Sequence, residues 1–279
     1  MMPEILKHWT LPTFGTSDVF STQIPTSCAN HATSSTFWLS KGSQMPRTGT
    51  SMAGYILYAQ ESSGSHPNAR EYLQVPLSEP LVPGQRYFTG MWVSLADSSR
   101  VAINNLGMYF SDTFVNEPTS SVLPFVPQVN ETRVIKNKEE WVLVQGVFVA
   151  QSPARYLIIG NFYDAASTTA EVVREKGNTF FYRAYYFVDD VFVEPLPELV
   201  VPNIFTPNGD GLNDSFHIKG LTTDLWKLQV YNRWGKQVYH SDGYSNDWDG
   251  WGLVEGVYFY MLEHPFAKDR YRGTVTIVR

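Results

Sequence analysis

The chain has 279 residues, of which 43% are hydrophobic and 15% aromatic, whereas only 17% are charged. This composition excludes a disordered, fibrous or coiled-coil chain and provides enough apolar side chains for large buried cores. A formal net charge of −6 gives no basic surface for nucleic acid or an anionic membrane, and a single cysteine, Cys28, excludes an intrachain disulfide scaffold.

The N-terminal segment, residues 1–8, lacks the apolar core of a signal peptide. No part of the chain approaches the roughly 18 consecutive apolar residues that span a bilayer, so we predict no membrane span. Two interpretations are open at this point: a cytoplasmic protein, or a chain whose true N-terminus is missing.

Alternation of apolar and polar residues with a period of two dominates the first two thirds of the chain, and helical periodicity is nearly absent. Strands are predicted at 87–95, 141–150, 156–162 and 185–194. Turn-forming pairs such as Pro83-Gly84 separate them. The best helical candidate, 165–176, is equally well explained by a loop with one helical turn. Strands at this spacing without intervening helices predict an antiparallel sandwich or barrel.

A proline-rich segment interrupts this pattern, since residues 194–202 read EPLPELVVP. Three prolines in such a short stretch cannot continue a central strand, because each removes a hydrogen-bond donor from the ladder. We therefore place a linker at 196–202, between a first domain at 1–195 and a second at 203–279. Half of the eight tryptophans lie in the second domain, which predicts a compact sandwich with an aromatic core.

The sequence holds no recognisable catalytic motif. The nearest approach to a nucleophile elbow, GTSMA at 49–53, lacks the final glycine. Metalloprotease, phosphate-loop and dinucleotide motifs do not occur, and the six histidines are scattered without ligand spacing. We expect a non-enzymatic protein, with a hydrolase whose site residues lie far apart in sequence as the alternative.

Two adjacent acids, Asp189 and Asp190, lie inside the apolar run FVDDVF at 187–192. Neighbouring residues of a strand point to opposite faces, so these two cannot act together as the carboxylate pair of a glycosidase. One of them is expected to face inward, and a buried carboxylate requires a partner. Hydrogen bonds and a bound calcium ion are both open as that partner.

A second acidic cluster, TPNGDGLND at 206–214, resembles a calcium-binding loop at first sight. Aligned as an EF-hand, it places Thr206 at the first ligand position and His217 at the twelfth, and both are wrong for calcium. A tight turn is the better prediction. Proline fixes φ, the glycines take positive φ, and Asn and Asp side chains cap backbone amides.

Aromatic residues beside predicted loops of the first domain suggest sugar recognition. A sugar ring has apolar C–H faces and a rim of hydroxyls, which suits an exposed aromatic ring with polar neighbours. Most aromatics fill the sandwich core, so only a few are expected at the surface. The candidate glycan-binding residues are Trp38, Tyr58, Arg70 and Tyr109.

Four motifs follow one another in the last part of the chain: VPNIFTPNGDGLNDSF at 201–216, VYNRWG at 230–235, NDWDG at 246–250 and EGVYFY at 255–260. In this order they closely resemble the gliding-motility-associated C-terminal domain, the type B sorting domain of type IX secretion cargo. The motif residues are Pro207, Asn208, Gly209, Asp210, Gly211, Asn213, Asp214, Asn232, Arg233, Trp234, Gly235, Asp247, Trp248, Asp249, Gly250, Glu255 and Gly256. One segment differs from the family, because WGLV at 251–254 is shorter than the usual turn, which is rich in Gly and Asn and carries a basic residue.

The resemblance implies export across a Gram-negative outer membrane, followed by retention at the cell surface or release. It implies as partners the type IX translocon, its shuttle proteins and an outer-membrane anchoring protein. For an exported protein, the missing signal peptide is best explained by an incomplete N-terminus.

The first domain resembles jelly-roll modules related to carbohydrate-binding modules. The resemblance is carried by REYLQV at 70–75, VSLAD at 93–97, NLGMYFS at 105–111 and VDDV at 188–191. It implies a structural calcium ion near the acid of the last strand, here Asp190. Such modules often open with a short Asn-rich strand, which residues 1–8 replace here.

Together these observations predict an all-β chain, with a jelly-roll β-sandwich followed by a smaller immunoglobulin-like β-sandwich. The expected function is that of a secreted or cell-surface protein that binds glycan or a surface partner through its first domain. A structural adhesin or envelope component that binds protein is the alternative for a non-enzymatic chain.

Overall fold

The computed structural model describes residues 8–22, 41–60, 68–174, 182–196, 198–221, 226–265, 267 and 269–279. The chain forms two compact units, Met1–Glu194 (the first unit) and Pro195–Arg279 (the second unit). Sixteen regular elements are bounded within the described residues, and all of them are β-strands, which confirms the predicted all-β class. Among these residues there is no helix of the length and apolarity needed for a membrane span.

The first unit is a sandwich of two antiparallel sheets, as the alternating pattern predicts. Its strands are β1 (Asp18–Ser21), β2 (Ser51–Gln60), β3 (Leu73–Pro76), β4 (Arg86–Leu95), β5 (Val101–Ile103), β6 (Leu106–Ser111), β7 (Val129–Glu131), β8 (Val142–Val149), β9 (Tyr156–Gly160), β10 (Ala170–Val172) and β11 (Tyr182–Leu196). One sheet has the order β1-β2-β11-β4-β8 and the other the order β3-β9-β6-β7. β5 and β10 form a separate pair, so the described part of the helical candidate at 165–176 contains a short strand instead.

The core of the first unit lies between the two sheets. Met91, Val93 and Leu95 of β4 face this core from alternate positions. Phe88 and Ser94 on the other face of the strand are buried too, so β4 is covered on both faces. Tyr186 of β11 is also buried, and its hydroxyl donates to the carbonyl of Ile135 at 2.7 Å. Burial raises the pKa of Tyr186, so this phenol stays neutral and serves as a structural hydrogen-bond donor.

A long loop, residues 112–128, covers the outer face of the four-stranded sheet. The side-chain amide of Gln74 accepts from Val115 N–H at 3.0 Å and donates to Val115 carbonyl at 3.1 Å. The hydroxyl of Tyr72 accepts from Leu123 N–H at 3.0 Å. These buried polar groups are satisfied by the backbone of the loop, which is therefore an integral layer of the unit.

The second unit contains one five-stranded sheet in its described residues. Its strands are β12 (Ile204–Phe205), β13 (Lys227–Tyr231), β14 (Gln237–Ser241), β15 (Gly256–Glu263) and β16 (Arg270–Ile277). The order is β12-β16-β15-β13-β14, with β12 parallel to β16 and the other pairs antiparallel.

Loop residues pack against one face of this sheet and complete the core of the second unit. Leu228, Val275 and Leu262 point from the strands into a cluster that also contains Phe216 and Trp248 from the loops. The predicted linker at 196–202 is partly ordered within this layer, since Leu199 is buried there and Val200 forms a β-bridge with Lys219.

Candidate functional site

The loops that carry the four C-terminal motifs meet at one end of the sheet of the second unit. Phe205 at the end of β12 lies beside Ile277 near the end of β16, and Ile277 pairs with Gly256, the first residue of β15. Tyr231, the last residue of β13, pairs with Phe259 of β15, three residues from the same end. We call this region the motif end; it comprises residues 206–214, 232–236, 249–255 and 278–279.

Carboxylates organise the first loop of the motif end by accepting backbone hydrogen bonds. The two oxygens of Asp214 accept from Gly209 N–H and Gly211 N–H, both at 2.7 Å. The carboxylate of Asp210 accepts from the amide two residues further on at 2.8 Å, and Asn208 Oδ1 accepts from Asp210 N–H at 3.0 Å. The amide hydrogen bonds lower the pKa of Asp214. The predicted capped tight turn is confirmed.

The same loop is closed at its base by the backbone. Thr206 N–H donates to the carbonyl of Asn213 at 2.8 Å, and Asn213 itself has a φ of 54°. Pro207 follows the closure and lines the adjacent groove. Asparagine tolerates the left-handed region better than most residues, which explains the Asn at 213.

The motif YNRWG forms the hairpin turn between β13 and β14. Asn232 Oδ1 accepts from the N–H groups of Trp234 and Lys236, both at 3.0 Å. The guanidinium of Arg233 lies 4.5 Å from the centre of the Trp234 ring. Gly235 takes a positive φ of 77°. The turn thus displays an exposed tryptophan that is held by its own neighbours.

The motif NDWDG has one tryptophan in the core. Trp248 is buried, with its ring 5.2 Å from that of Phe205 and 5.8 Å from that of Phe216. Asp247 accepts a hydrogen bond from the Tyr239 hydroxyl at 3.0 Å. Burial, together with this carboxylate, raises the pKa of Tyr239 to about 12. Trp248 therefore anchors the motif to the sheet.

The residues after Trp248 form a turn that holds a second tryptophan in solvent. Asp249 Oδ1 accepts from Trp251 N–H at 2.8 Å. Gly250 has a φ of 67°, and a Cβ atom there would lie 2.6 Å from the Cδ1 of Ile277. Trp251 is 89% exposed, although its backbone is fixed.

Arg279 fastens this turn from the end of β16. Its guanidinium donates to the carbonyls of Leu253 at 2.7 Å and Gly250 at 3.1 Å, and its N–H donates to Glu255 Oε1 at 2.7 Å. Sequence analysis missed Arg279, because its partners lie 24 to 29 residues earlier and no local pattern announces them.

Two of the four candidate glycan-binding residues are buried. Arg70 is 1% exposed and Tyr58 is 3% exposed, with the guanidinium 4.6 Å from the centre of the ring. Burial lowers the pKa of Arg70 to about 10, and its guanidinium donates to the carbonyls of Ala69 and Tyr163. Contact of Tyr58 or Arg70 with a glycan is therefore corrected to a structural role, because neither side chain reaches the surface.

Tyr109 lies at the surface in a different setting, and Trp38 lies outside the described residues. The half-buried ring of Tyr109 stacks parallel to that of Phe125, with 4.5 Å between the ring centres. Phe162 lies behind it at 6.0 Å, and half-buried Tyr163 packs against the same cluster. We call Tyr109, Phe125 and Tyr163 the aromatic patch.

The acid pair of β11 is satisfied by a loop of the first unit. Asp190 accepts from the Arg47 guanidinium and, at 2.6 Å, from the Thr48 hydroxyl. Asp189 accepts from Arg47 N–H at 2.8 Å, and burial raises the pKa of Asp189. A cationic guanidinium on the carboxylate does not fit a calcium site, so the expected calcium at Asp190 is corrected to an ion pair with hydrogen bonds.

The described residues do not assemble a metal-binding group of His, Cys, Asp or Glu side chains. Within 8–22, 41–60, 68–174 and the other described ranges, no three His, Cys, Asp or Glu side chains are placed to hold a metal ion. His240 lies 3.2 Å from Asp242 at the surface, and His264 packs edge-on against Trp226. Burial lowers the pKa of His264, which favours the neutral ring.

Several solved structures resemble the chain at low identity. The CBM22-1 xylan-binding domain from Paenibacillus barcinonensis Xyn10C is 12% identical, with a TM-score of 0.35 over 68% of this chain and 87% of that one. The CBM22-1-GH10 modules of Clostridium thermocellum Xyn10B are 11% identical, with a TM-score of 0.35 over 72% of this chain and 31% of that one. The adhesin domain of Epf from Streptococcus pyogenes is 10% identical, with a TM-score of 0.28 over 82% of this chain and 77% of that one. Alignments of this quality assign no ligand, so a ligand has to be argued from side chains.

The second unit matches the model of a known protein family, whereas no curated protein matches the chain. Residues 199–277 match the family model described as CHU_C Type IX secretion signal domain. This range contains all four motifs and almost the whole motif end, so the resemblance predicted from the motifs is confirmed. The chain therefore carries a type IX secretion signal domain at residues 199–277, which implies secretion to the cell surface or exterior.

Proposed function

We propose that this protein is a non-enzymatic cargo of type IX secretion whose first unit binds glycan outside the cell. The second unit supplies the export signal, and its partners are the translocon, the shuttle proteins and an outer-membrane anchoring protein. The first unit acts after export, either on the secreting cell's surface or away from it.

The arrangement of the motif end supports the export role. Four separate sequence motifs within residues 201–260 converge on one end of a unit that has its own core. Their polar residues fix loop conformations through backbone hydrogen bonds, and apolar side chains such as Trp234 and Trp251 are left exposed. A rigid, exposed loop cluster is a suitable surface for recognition by a receptor.

The aromatic patch is the single observation that favours glycan as the ligand of the first unit. Tyr109 and Phe125 form a parallel stack at the surface, and Tyr163 packs against the same buried cluster. Among the described residues, no hydrogen-bond partner is found for the hydroxyls of Tyr109 and Tyr163. Ring faces with free polar tips can stack on a sugar ring and bond its hydroxyls.

A glycan array probed with the full chain tests this proposal. We expect the wild-type chain to bind at least one polysaccharide, and Tyr109→Ala and Phe125→Ala to weaken binding at least about tenfold. Phe114→Ala is the matched control, because Phe114 is also an exposed aromatic of the first unit but packs edge-on against Tyr156 outside the patch. Binding to no glycan would overturn the proposal, and cross-linking to a protein neighbour would instead support the adhesin alternative.

A further inference from the structure

A groove crosses the motif end between its first loop and the turn that carries Trp251. It encloses about 760 Å³ and is lined by Pro207, Gly209, Asp214, Asp249, Trp251, Gly252, Leu253 and Arg279. We call it the motif groove. It combines residues from three separate segments, two of which belong to the secretion signal motifs, so its shape depends on the folded unit.

The tryptophan of the groove is held in an exposed position from both sides. Asp249 caps the Trp251 amide, and Arg279 binds the carbonyls of Gly250 and Leu253 on either side of it. An exposed indole side chain gains free energy by leaving water. A fixed turn that displays one offers a large apolar anchor at little ordering cost to its backbone, and tryptophans are typical centres of protein interfaces.

The carboxylates at the groove are not neutralised within the second unit. Asp214 and Asp249 of the lining accept hydrogen bonds from backbone amides, and among the described residues neither has an ion-pair partner. The one cation of the lining, Arg279, is bound to carbonyl oxygens. The lining thus carries two carboxylates and one guanidinium, a formal side-chain charge of 1 − 2 = −1. The groove presents apolar surface with an excess of negative charge, and the complementary partner is basic and apolar.

We propose that the motif groove docks a protein segment of the secretion route that carries Lys or Arg next to an apolar side chain, with Trp251 as the anchor. The proposal rests on the export function proposed above and names the chemistry of the partner. Trp251 lies in the turn that differs from the family, so the anchor is a feature of this chain's own sequence.

Peptide binding to the full chain tests the groove directly. The probe is a short peptide of alternating Lys and Leu, and its matched control is the same peptide with Gln in place of Lys. We expect the Lys peptide to shift the Trp251 indole N–H resonance, assigned through Trp251→Phe, at up to about 10 mM and more strongly at low salt. No shift of this resonance, or equal shifts from both peptides, would overturn the proposal.

Substitutions at the groove distinguish the contribution of the Trp251 side chain to binding from that of the carboxylates. Trp251→Ala should abolish the binding measured by the remaining resonances of the groove, and Asp249→Asn should weaken it about two- to fivefold, since Asn keeps the capping oxygen. Val200→Thr is the control, because Val200 is exposed but precedes β12. Unchanged unfolding midpoints exclude misfolding as the cause.

An export assay then distinguishes the two proposals. If the full chain is not exported by a type IX-competent host, the proposed export function is wrong. The peptide experiment still shows, independently, whether the groove binds a basic and apolar segment. If the chain is exported and Trp251→Ala is exported equally well, the groove is not the docking site, whatever the peptide result.

Discussion

At the scale of single residues, Gly250 is the position on which the motif end depends most directly. Its φ of 67° lies in the left-handed region, and any side chain would meet Ile277 in the core. Gly250 therefore allows the turn that carries Trp251 to pack closely against the end of β16. There is no room for a Cβ atom at this contact.

We expect Gly250→Ala to destabilise the second unit by about 2–4 kcal/mol, from the backbone conformation and the clash together. Gly252→Ala is the matched control, since Gly252 has a φ of 73° but a Cβ atom added there would meet no other atom within 4 Å. It should cost only the backbone part, about 1–2 kcal/mol. Denaturant unfolding measures both, and equal losses would contradict the packing argument.

Asp18 is the second informative residue, because its carboxyl is largely buried beside Tyr185. Burial raises its pKa from 3.8 to about 6, while the hydrogen bond from the Tyr185 hydroxyl and the charge of Lys41 act in the opposite direction and Glu71 adds to the rise. A carboxyl with a raised pKa in the folded state binds protons more readily folded than unfolded.

The contribution of Asp18 to stability is therefore fully present below about pH 4 and is lost as the pH rises through about 6. We expect Asp18→Asn, which cannot ionise, to become progressively more stable than wild type over this window, by less than about 3 kcal/mol because solvent reaches the site. Thermal unfolding of both chains from about pH 3.5 to 7.5 measures the gap, and a gap independent of pH would refute the assignment.

The sequence does not reveal which of the candidate binding residues are buried in the folded chain. Tyr58 and Arg70 have the composition of a sugar site, but the β-bridge between Ala59 and Ala69 and the carbonyl of Tyr163 enclose them. These contacts join segments up to 93 residues apart, so no local pattern reports them. Tyr109 could be selected from the sequence, whereas its partner Phe125 could not.

At the scale of elements, Arg47 makes several of the contacts that fix the loop at 41–50 to the five-stranded sheet. Arg47 donates its backbone N–H to Asp189, pairs with Asp190 and lies 3.9 Å above the ring of Trp92. This cluster joins β11, β4 and the loop. The cation–π contact and the ion pair use the same guanidinium, so removing it loosens both.

We expect Arg47→Ala to destabilise the first unit by about 1–2 kcal/mol and to increase amide exchange in residues 41–50. Arg133→Ala is the matched control, because Arg133 pairs only with Glu131 in an exposed position and should cost less than about 1 kcal/mol. Exchange in 41–50 that does not respond to Arg47→Ala would show that the loop is held by other contacts.

The same cluster predicts the response to calcium. Because Arg47 and Thr48 occupy the oxygens of Asp190, we expect calcium and a chelator to leave the unfolding midpoint of the full chain unchanged. A midpoint that rises with calcium would restore the metal site that the family resemblance implied.

Elements differ in how far the sequence determines them. The turn at 206–214 is predictable, since its hydrogen bonds join residues no more than seven positions apart and its glycines and asparagines are diagnostic. The tie between Arg47 and Asp190 spans 143 positions, and the alternation of apolar residues cannot indicate it. The strands β4 and β8 could be predicted because β4 shows a period of two and β8 is rich in valine.

At the scale of the whole molecule, each unit has a separate core, and a separate task is proposed for each. The first unit carries the aromatic patch, and the second carries the motif end. The family match covers only the second unit, so the export role and the binding role can be tested independently.

The central claim is that residues 195–279 direct export, and secretion in a type IX-competent host tests it most directly. The full chain, produced behind a signal peptide, should reach the cell surface or medium, whereas the chain without 195–279 should stay in the periplasm. A host that lacks the secretion system should retain both. Equal export of the two chains, or export of the full chain without the system, would contradict the account.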